Sequence, residues 1–231
     1  MQDIKATKYK NFSELKLNED IIMALTESGY MVPTPIQEES IPLIMARKSI
    51  IARAKNGTGK TGAFLIPVLN EIDEKIKSIQ GVILVPTREL AMQGQTLAQK
   101  ISKFKKVNIE YFIGGTMVKE DYAKIEDKVA QVVVCTPGRL KDLVKKFDYL
   151  LDECQFFVLD EADRLLEGNF ERDVEEIVSH LNPKCCMLMY SATFPLRIKS
   201  FKEKFMPTAE VVNLMDELML IGMTHYYMLV D

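Results

Sequence analysis

Between residues 54 and 61, Ala54-Lys55-Asn56-Gly57-Thr58-Gly59-Lys60-Thr61 sets two glycines, a lysine and a threonine at the spacing of a loop that could hold a triphosphate. Successive backbone N–H groups in such a loop form an anion nest, and the N-terminus of the following helix adds partial positive charge at the same point. Gly57 and Gly59 permit the turn and a close approach of backbone to phosphate. Lys60 would then sit on the β and γ phosphates as a point charge, and the Thr61 hydroxyl would join the coordination of Mg²⁺. The general P-loop pattern begins with glycine, whereas this stretch begins with Ala54. Taken alone, it competes with an ordinary glycine-containing turn before a helix.

A second set of groups lies at Asp160-Glu161-Ala162-Asp163, directly after the apolar run Phe156-Phe157-Val158-Leu159. With a triphosphate in place, Asp160 would hold Mg²⁺ through water, and Glu161 would orient or deprotonate the attacking water. The alternative is an acidic N-cap of the next helix. An earlier loop of the P-loop type, also following a strand, favours the metal reading.

These groups need rigid elements behind them. Short apolar runs at 49–52, 82–85, 109–113, 132–135, 156–159 and 187–190 are continuous rather than alternating, the pattern of strands buried on both faces. Longer helical patterns separate them, so the expected fold is α/β, a parallel sheet sandwiched between helices. In such sheets ligands bind at the carboxyl ends of the strands. The P-loop follows the first run, and Pro86-Thr87-Arg88-Glu89-Leu90 the second. Gly114-Gly115 follows the third, Thr136-Pro137-Gly138-Arg139 the fourth, the acidic quartet the fifth and Ser191-Ala192-Thr193 the sixth. Every polar signature therefore falls on one edge. Upstream, Leu15, Leu17, Ile21, Ile22 and Leu25 predict an amphipathic helix that stops at Gly29, and Thr34-Pro35 predicts the cap and first turn of another.

The 231 residues suffice for one large domain, and an apolar fraction of 47% with 27% charged residues belongs to soluble globular proteins. No apolar run reaches the ~18 residues of a membrane helix, and the start of the chain lacks a secretory signal, so an intracellular protein is expected. Cys135, Cys154, Cys185 and Cys186 have no paired metal-ligand spacing and read as buried thiols. A net charge of −3 weighs against a wholly basic nucleic-acid-binding surface. A narrow basic path through Lys103, Lys105, Lys106, Lys145 and Lys146 stays open, against solvated helix ends as the plainer reading.

In their order along the chain, Gly29, Pro33-Thr34-Pro35-Ile36-Gln37, the 54–61 loop, Pro86–Leu90, Gly114-Gly115, Thr136–Arg139, Asp160–Asp163 and Ser191–Thr193 resemble the motifs of the DEAD-box ATP-dependent RNA helicases. The resemblance runs from Phe12 to the end and covers the first of that family's two RecA-like domains, a P-loop NTPase fold. This family commonly has alanine at the position of Ala54. The resemblance implies that Gln37 binds the adenine edge, with Thr34 beside it, and that Phe12 stacks on the base. It implies that Pro86, Thr87, Arg88, Gly114, Gly115, Thr136, Pro137, Gly138 and Arg139 meet the RNA sugar-phosphate backbone. Such contacts position a strand without reading its sequence. Ser191 and Thr193 are implied to couple the γ-phosphate to the RNA edge through Asp163. The implied ligands are ATP, Mg²⁺ and RNA.

Residues 52–60, Ser191-Ala192-Thr193-Phe194-Pro195-Leu196 and Asn213-Leu214-Met215 are similar to the cytoplasmic branch that represses translation and promotes mRNA decapping, with translation-initiation helicases as nearest competitor. Partners from mRNA decay or translational repression, a monomer and residence in cytoplasm or ribonucleoprotein granules are the matching expectations. The expected division is a polar arm (1–10), a Q-motif region (11–38), the RecA-like domain (39–213) and an approach to a second RecA-like domain (214–231). The family's second domain carries a His-Arg-x-Gly-Arg segment, and neither His180 nor His225 is followed by arginine. Little RNA-stimulated ATPase is therefore expected of these 231 residues alone. A slow ATP-gated RNA clamp in a repressive ribonucleoprotein and an unrelated P-loop ATPase or kinase are the competing functions.

Overall fold

The computed structural model describes residues 8–168 and 170–215. The apolar run 226–230, expected to approach a second domain, lies outside them.

Seven parallel strands make one sheet: β1 (Ile50–Arg53), β2 (Gly81–Leu84), β3 (Ile109–Phe112), β4 (Val132–Cys135), β5 (Phe156–Asp160), β6 (Cys186–Ser191) and β7 (Glu210–Asn213). Their spatial order is β3-β4-β2-β5-β6-β1-β7. The registers include Ile83 beside Val134, Leu159 beside Met189 and Ala52 beside Tyr190. Strands β2, β4, β5 and β6 are buried at every residue, as continuous apolar runs between two helical layers require. One core fills the side that holds Phe64, Ile83, Val134, Phe156 and Tyr190; the other holds Leu84, Val133, Leu140, Phe157 and Met189. Alternate residues of each strand thus serve opposite layers.

Six of the strands match the apolar runs, and β7 has no such run. At this sheet edge only Val212 of the four residues is buried, so no continuous apolar run marks it. The first predicted helix also changes form. Phe12–Leu15 is a single 3₁₀ turn, Lys16 takes a left-handed conformation (φ 56°), and α1 spans only Glu19–Glu27. Leu15 and Leu17 are still buried, so the apolar spacing reports burial rather than a continuous helix. The stop does fall at Gly29 (φ 81°): its N–H donates to the Thr26 carbonyl and the Tyr30 N–H to that of Leu25, the Schellman pattern.

The remaining helices of the site are α2 (Pro35–Met45), α3 (Lys60–Glu71), α4 (Arg88–Ile101), α5 (Val118–Glu126), α6 (Pro137–Lys146) and α7 (Ala162–Leu165). Helix α3 is fixed at its far end by Lys105, whose Nζ donates to the carbonyls of Leu69, Asn70 and Ile72 at 2.8, 3.0 and 2.9 Å. A cation there satisfies orphan carbonyls and opposes the negative helix end. Lys103 pairs with Glu27 and Lys145 with Glu176. Lys103 and Lys145 are exposed, as solvated helix ends would be, whereas Lys105 is half-buried against the end of α3.

Candidate functional site

The loop between β1 and α3 folds around its glycines. Gly57 and Gly59 have φ of 78° and 93°, values that β-carbons disfavour. A Cβ on Gly59 would stand 2.8 Å from Gln37 Nε2 and 2.9 Å from Thr34 Oγ1, so this position also lacks space. Gln37 is buried in the first turn of α2; its Oε1 accepts the Thr34 N–H at 2.9 Å and its Nε2 donates to the Gly59 carbonyl at 3.2 Å. Each end of the amide keeps one further lone pair or hydrogen, as adenine recognition requires. The Thr34 hydroxyl beside it is buried without a partner. Phe12 lies elsewhere in character: at 3% exposure its ring belongs to the core and offers no free face for stacking in this structure.

Lys60 opens α3, yet its ammonium turns back onto the loop, donating to the Ala54 carbonyl at 2.9 Å and to Asn56 Oδ1 at 2.8 Å. Burial lowers its pKa, while Asp160, Asp163 and Glu161 pull it back up. Lys55, Asn56 and Gly57 are exposed, and Thr58 folds its hydroxyl onto the Lys55 carbonyl at 2.8 Å. Thr61 and Asp160 line one cavity of about 150 Å³ together with Phe64, Val85 and Gln93.

At the end of β5, burial raises the Asp160 carboxyl to about 6. A buried carboxylate held this way gains most from a cation, and Thr61 supplies a neutral oxygen in the same cavity; this pair fits Mg²⁺. Glu161 occupies the left-handed region (φ 52°, ψ 50°), an uncommon state for a side chain larger than asparagine. Its carboxylate is held by Arg164 Nη1 at 2.9 Å. Asp163 accepts from the Thr193 hydroxyl at 2.6 Å and the Thr193 N–H at 3.2 Å, and its own N–H donates to Ser191 Oγ at 3.3 Å. Burial disfavours the charge on Asp163, but these hydrogen bonds outweigh it and hold the carboxyl below its usual range. The Ser191 carbonyl in turn accepts the Ala54 N–H at 3.2 Å. The nucleotide-type loop, the acidic strand end and the turn after β6 are therefore one hydrogen-bonded unit.

A second group sits on the same edge beyond β2. Thr87 caps α4 by accepting the Leu90 N–H at 3.2 Å. The Arg88 guanidinium lies on Gly115, where a Cβ would come within 2.8 Å of its Cζ, and Gly115 has φ 88°. Thr136 and Pro137 open α6 and Gly138 is half-buried. Arg139 faces inward, only 7% exposed, on Asp121 and Thr116. Pro86 is half-buried beside them and Gly114 lies under Arg88. Asp121 and Arg164 were not singled out by sequence; each is an ordinary helical charge until its partner is seen.

The profile of the family described as "DEAD/DEAH box helicase" matches residues 34–201. The chain belongs to this family. Among DEAD-box relatives, the Arabidopsis thaliana "DEAD-box ATP-dependent RNA helicase 6" is 44% identical over 230 residues, covering 100% of this chain and 43% of that protein. "ATP-dependent RNA helicase DHH1" of Scheffersomyces stipitis is 43% identical, with 100% and 45% covered. The structure of a DEAD box protein from the hyperthermophile Methanococcus jannaschii superposes with a TM-score of 0.86 at 34% identity, covering 90% of this chain and 57% of the other. S. cerevisiae Dbp5 bound to RNA and ADP BeF3 gives 0.82 at 30% identity, with 88% and 52% covered. These confirm the RecA-like parallel sheet. The chain spans about half the length of the curated relatives it matches. No helix among the described residues is long and apolar enough to cross a membrane.

Proposed function

We propose that this DEAD-box chain binds ATP with Mg²⁺ on the carboxyl edge of its sheet and the sugar-phosphate backbone of RNA beside it. The whole protein is then an RNA-stimulated ATPase that remodels RNA in mRNA decay and translational repression. The observation that carries this reading is the bridge Ala54–Ser191–Asp163–Thr193, since it gives the phosphate end of the site a hydrogen-bonded route to a neighbouring turn. Residues 1–10, 11–38, 39–213 and 214–231 serve as arm, adenine-side region, RecA-like domain and approach to a second such domain.

In this reading Ala54–Thr61 wraps the phosphates, with Thr34 and Gln37 on the adenine side and Phe12 supporting them from the core. Lys60 exchanges its two loop acceptors for phosphate oxygens. Thr61 and Asp160 would hold Mg²⁺, which would offset the negative charge of the phosphates. Glu161 holds the attacking water and takes its proton. Pro86, Thr87, Arg88, Gly114, Gly115, Thr136, Pro137 and Gly138 meet the RNA backbone, and ribose 2′-hydroxyls favour RNA over DNA. The Glu161–Arg164 pair supports a second reading, an RNA clamp with slow unaided turnover, because the base is already occupied.

Adenine preference is the direct test. Fluorescent ADP should bind the 231-residue chain better than fluorescent GDP by ~1–3 kcal/mol, and Gln37→Ala should erase the difference. Equal wild-type affinities for the two nucleotides would end the adenine assignment. In a protein that hydrolyses ATP, Glu161→Gln should keep nucleotide affinity and abolish turnover, and Arg164→Ala should raise turnover if the clamp reading holds.

A further inference from the structure

Arg139 and Asp121 form a buried ion pair, with side chains 7% and 6% exposed, on the edge where RNA is proposed to lie. The guanidinium has three acceptors on two segments. Nη1 donates to Asp121 Oδ2 and, at 3.1 Å, to Thr116 Oγ1; Nη2 donates to the Thr116 carbonyl at 2.8 Å. Thr116 directly follows Gly114-Gly115, Arg139 directly follows Gly138, and Asp121 lies in the first turn of α5. The guanidinium of Arg88, at the start of α4, lies against Gly115 of the same loop. The loop after β3 thus touches two arginines, the exposed Arg88 and the buried Arg139.

A buried ion pair is a poor stabiliser, since desolvation cancels much of its attraction. Asp121 shows that cost: burial raises its carboxyl, and the hydrogen bond and charge of Arg139 pull it only part of the way back. What the pair supplies is geometry. A planar fork with fixed acceptors sets the distance and tilt between two loops that no sheet hydrogen bond joins beyond Thr136 N–H to the Phe112 carbonyl at 3.2 Å.

We propose that Asp121 is a positioning residue for RNA: through Arg139 it clamps the Gly114–Thr116 loop to the N-terminus of α6, so that one backbone meets both loops at a fixed spacing. The clamp rests on the RNA reading given above, and it moves Arg139 from a phosphate contact to the part that holds the contacts in place. Each loop could bind a phosphate weakly without it; only the clamped pair binds two as a unit.

The test is an NMR titration of the 231-residue chain with single-stranded oligouridylate, following the amides of Gly114, Gly115 and Gly138. The variant is Asp121→Leu with Arg139→Met, because apolar residues commonly restore a core that has lost an ion pair. In the wild type all three amides should titrate with one midpoint. In the double variant, affinity should fall about tenfold and the glycine pair and Gly138 should titrate separately, while fluorescent ADP binding stays within twofold of wild type. Asp121→Glu, which keeps the acid beside Arg139, should retain a single midpoint. One shared midpoint at wild-type affinity in the folded double variant overturns the clamp and leaves the RNA reading standing. Failure of the wild type to shift any of the three amides overturns the RNA reading, and the clamp's role with it.

Discussion

Two loops on one sheet edge, the 54–61 loop and the 114–116 loop, each precede a helix, each carry a left-handed glycine and each lie against a cation, but the cations are used in opposite ways. Lys60 holds neutral acceptors of its own loop, the Ala54 carbonyl and Asn56 Oδ1, with carboxylates nearby but none in contact. Arg139 is closed in an ion pair with Asp121 and bonded to Thr116 on both nitrogens. Moving Lys60 to a phosphate gives up two neutral hydrogen bonds for charged ones. Moving Arg139 would strand a buried carboxylate. Mobility of charge is thus set by the partner rather than by the cation: Lys60 can be handed to a ligand, whereas Arg139 cannot.

The sharpest break of this contrast replaces each cation by methionine. Arg139→Met should cost ~3–5 kcal/mol because it leaves Asp121 buried and unpaired. Lys60→Met should change stability by ~1 kcal/mol or less, since two lost hydrogen bonds are offset by relief of a buried charge, while triphosphate affinity collapses. Chemical denaturation of both variants without nucleotide decides it; equal losses would remove the distinction.

Asp160→Asn should follow, with a gain rather than a loss. The Asp160 carboxyl is raised to about 6 in the folded chain against 3.8 as the ordinary value, so the folded state keeps a proton that the unfolded state releases. Stability from this group is fully present below pH 4 and is lost as pH rises through 6. At pH 7 the asparagine variant should be more stable than wild type by up to ~3 kcal/mol, the advantage vanishing near pH 4. Denaturant midpoints for both proteins across that range check it, and a pH-independent difference would contradict the assignment.

The smallest effects separate the two glycines. In Gly59→Ala the new methyl meets Gln37, which is anchored at both ends of its amide, and a loss of ~1–2 kcal/mol is expected. In Gly115→Ala it meets the end of the exposed Arg88 side chain, which can swing away, so the loss should fall to ~1 kcal/mol, the backbone cost alone. Thermal melts of the pair would rank them, and a larger loss at Gly115 would show that Arg88 is fixed.

Most of the sheet was legible because a strand buried on both faces must be apolar throughout, as at Val132–Cys135 and Phe156–Leu159. Strand β7 was not, since an edge strand with one buried residue leaves no such mark. At the site, residue types and order pointed to the edge on which Lys60, Asp160, Asp163 and Thr193 meet. They could not say where a side chain turns. Arg139 in Thr136-Pro137-Gly138-Arg139 looks the same whether it faces RNA or Asp121, eighteen residues earlier in the chain and on another helix. Likewise Lys105 reads as a surface charge until the end of α3 is placed against it. Patterning reports burial, whereas pairing is decided by tertiary geometry.

The position of β1 in the sheet also governs when the phosphate loop can exist. Ile50 finds its register partners at Leu188 on one side and Glu210 on the other, so the strand of this sheet that comes first in sequence is paired by the two that come last. Until residues 186–213 have been made, Ile50, Ile51 and Ala52 form an apolar strand with both edges open, and closing so long a span is entropically slow. A nascent chain should therefore gain nucleotide protection only after residue 213 has emerged, and until then this segment is a natural client for a chaperone.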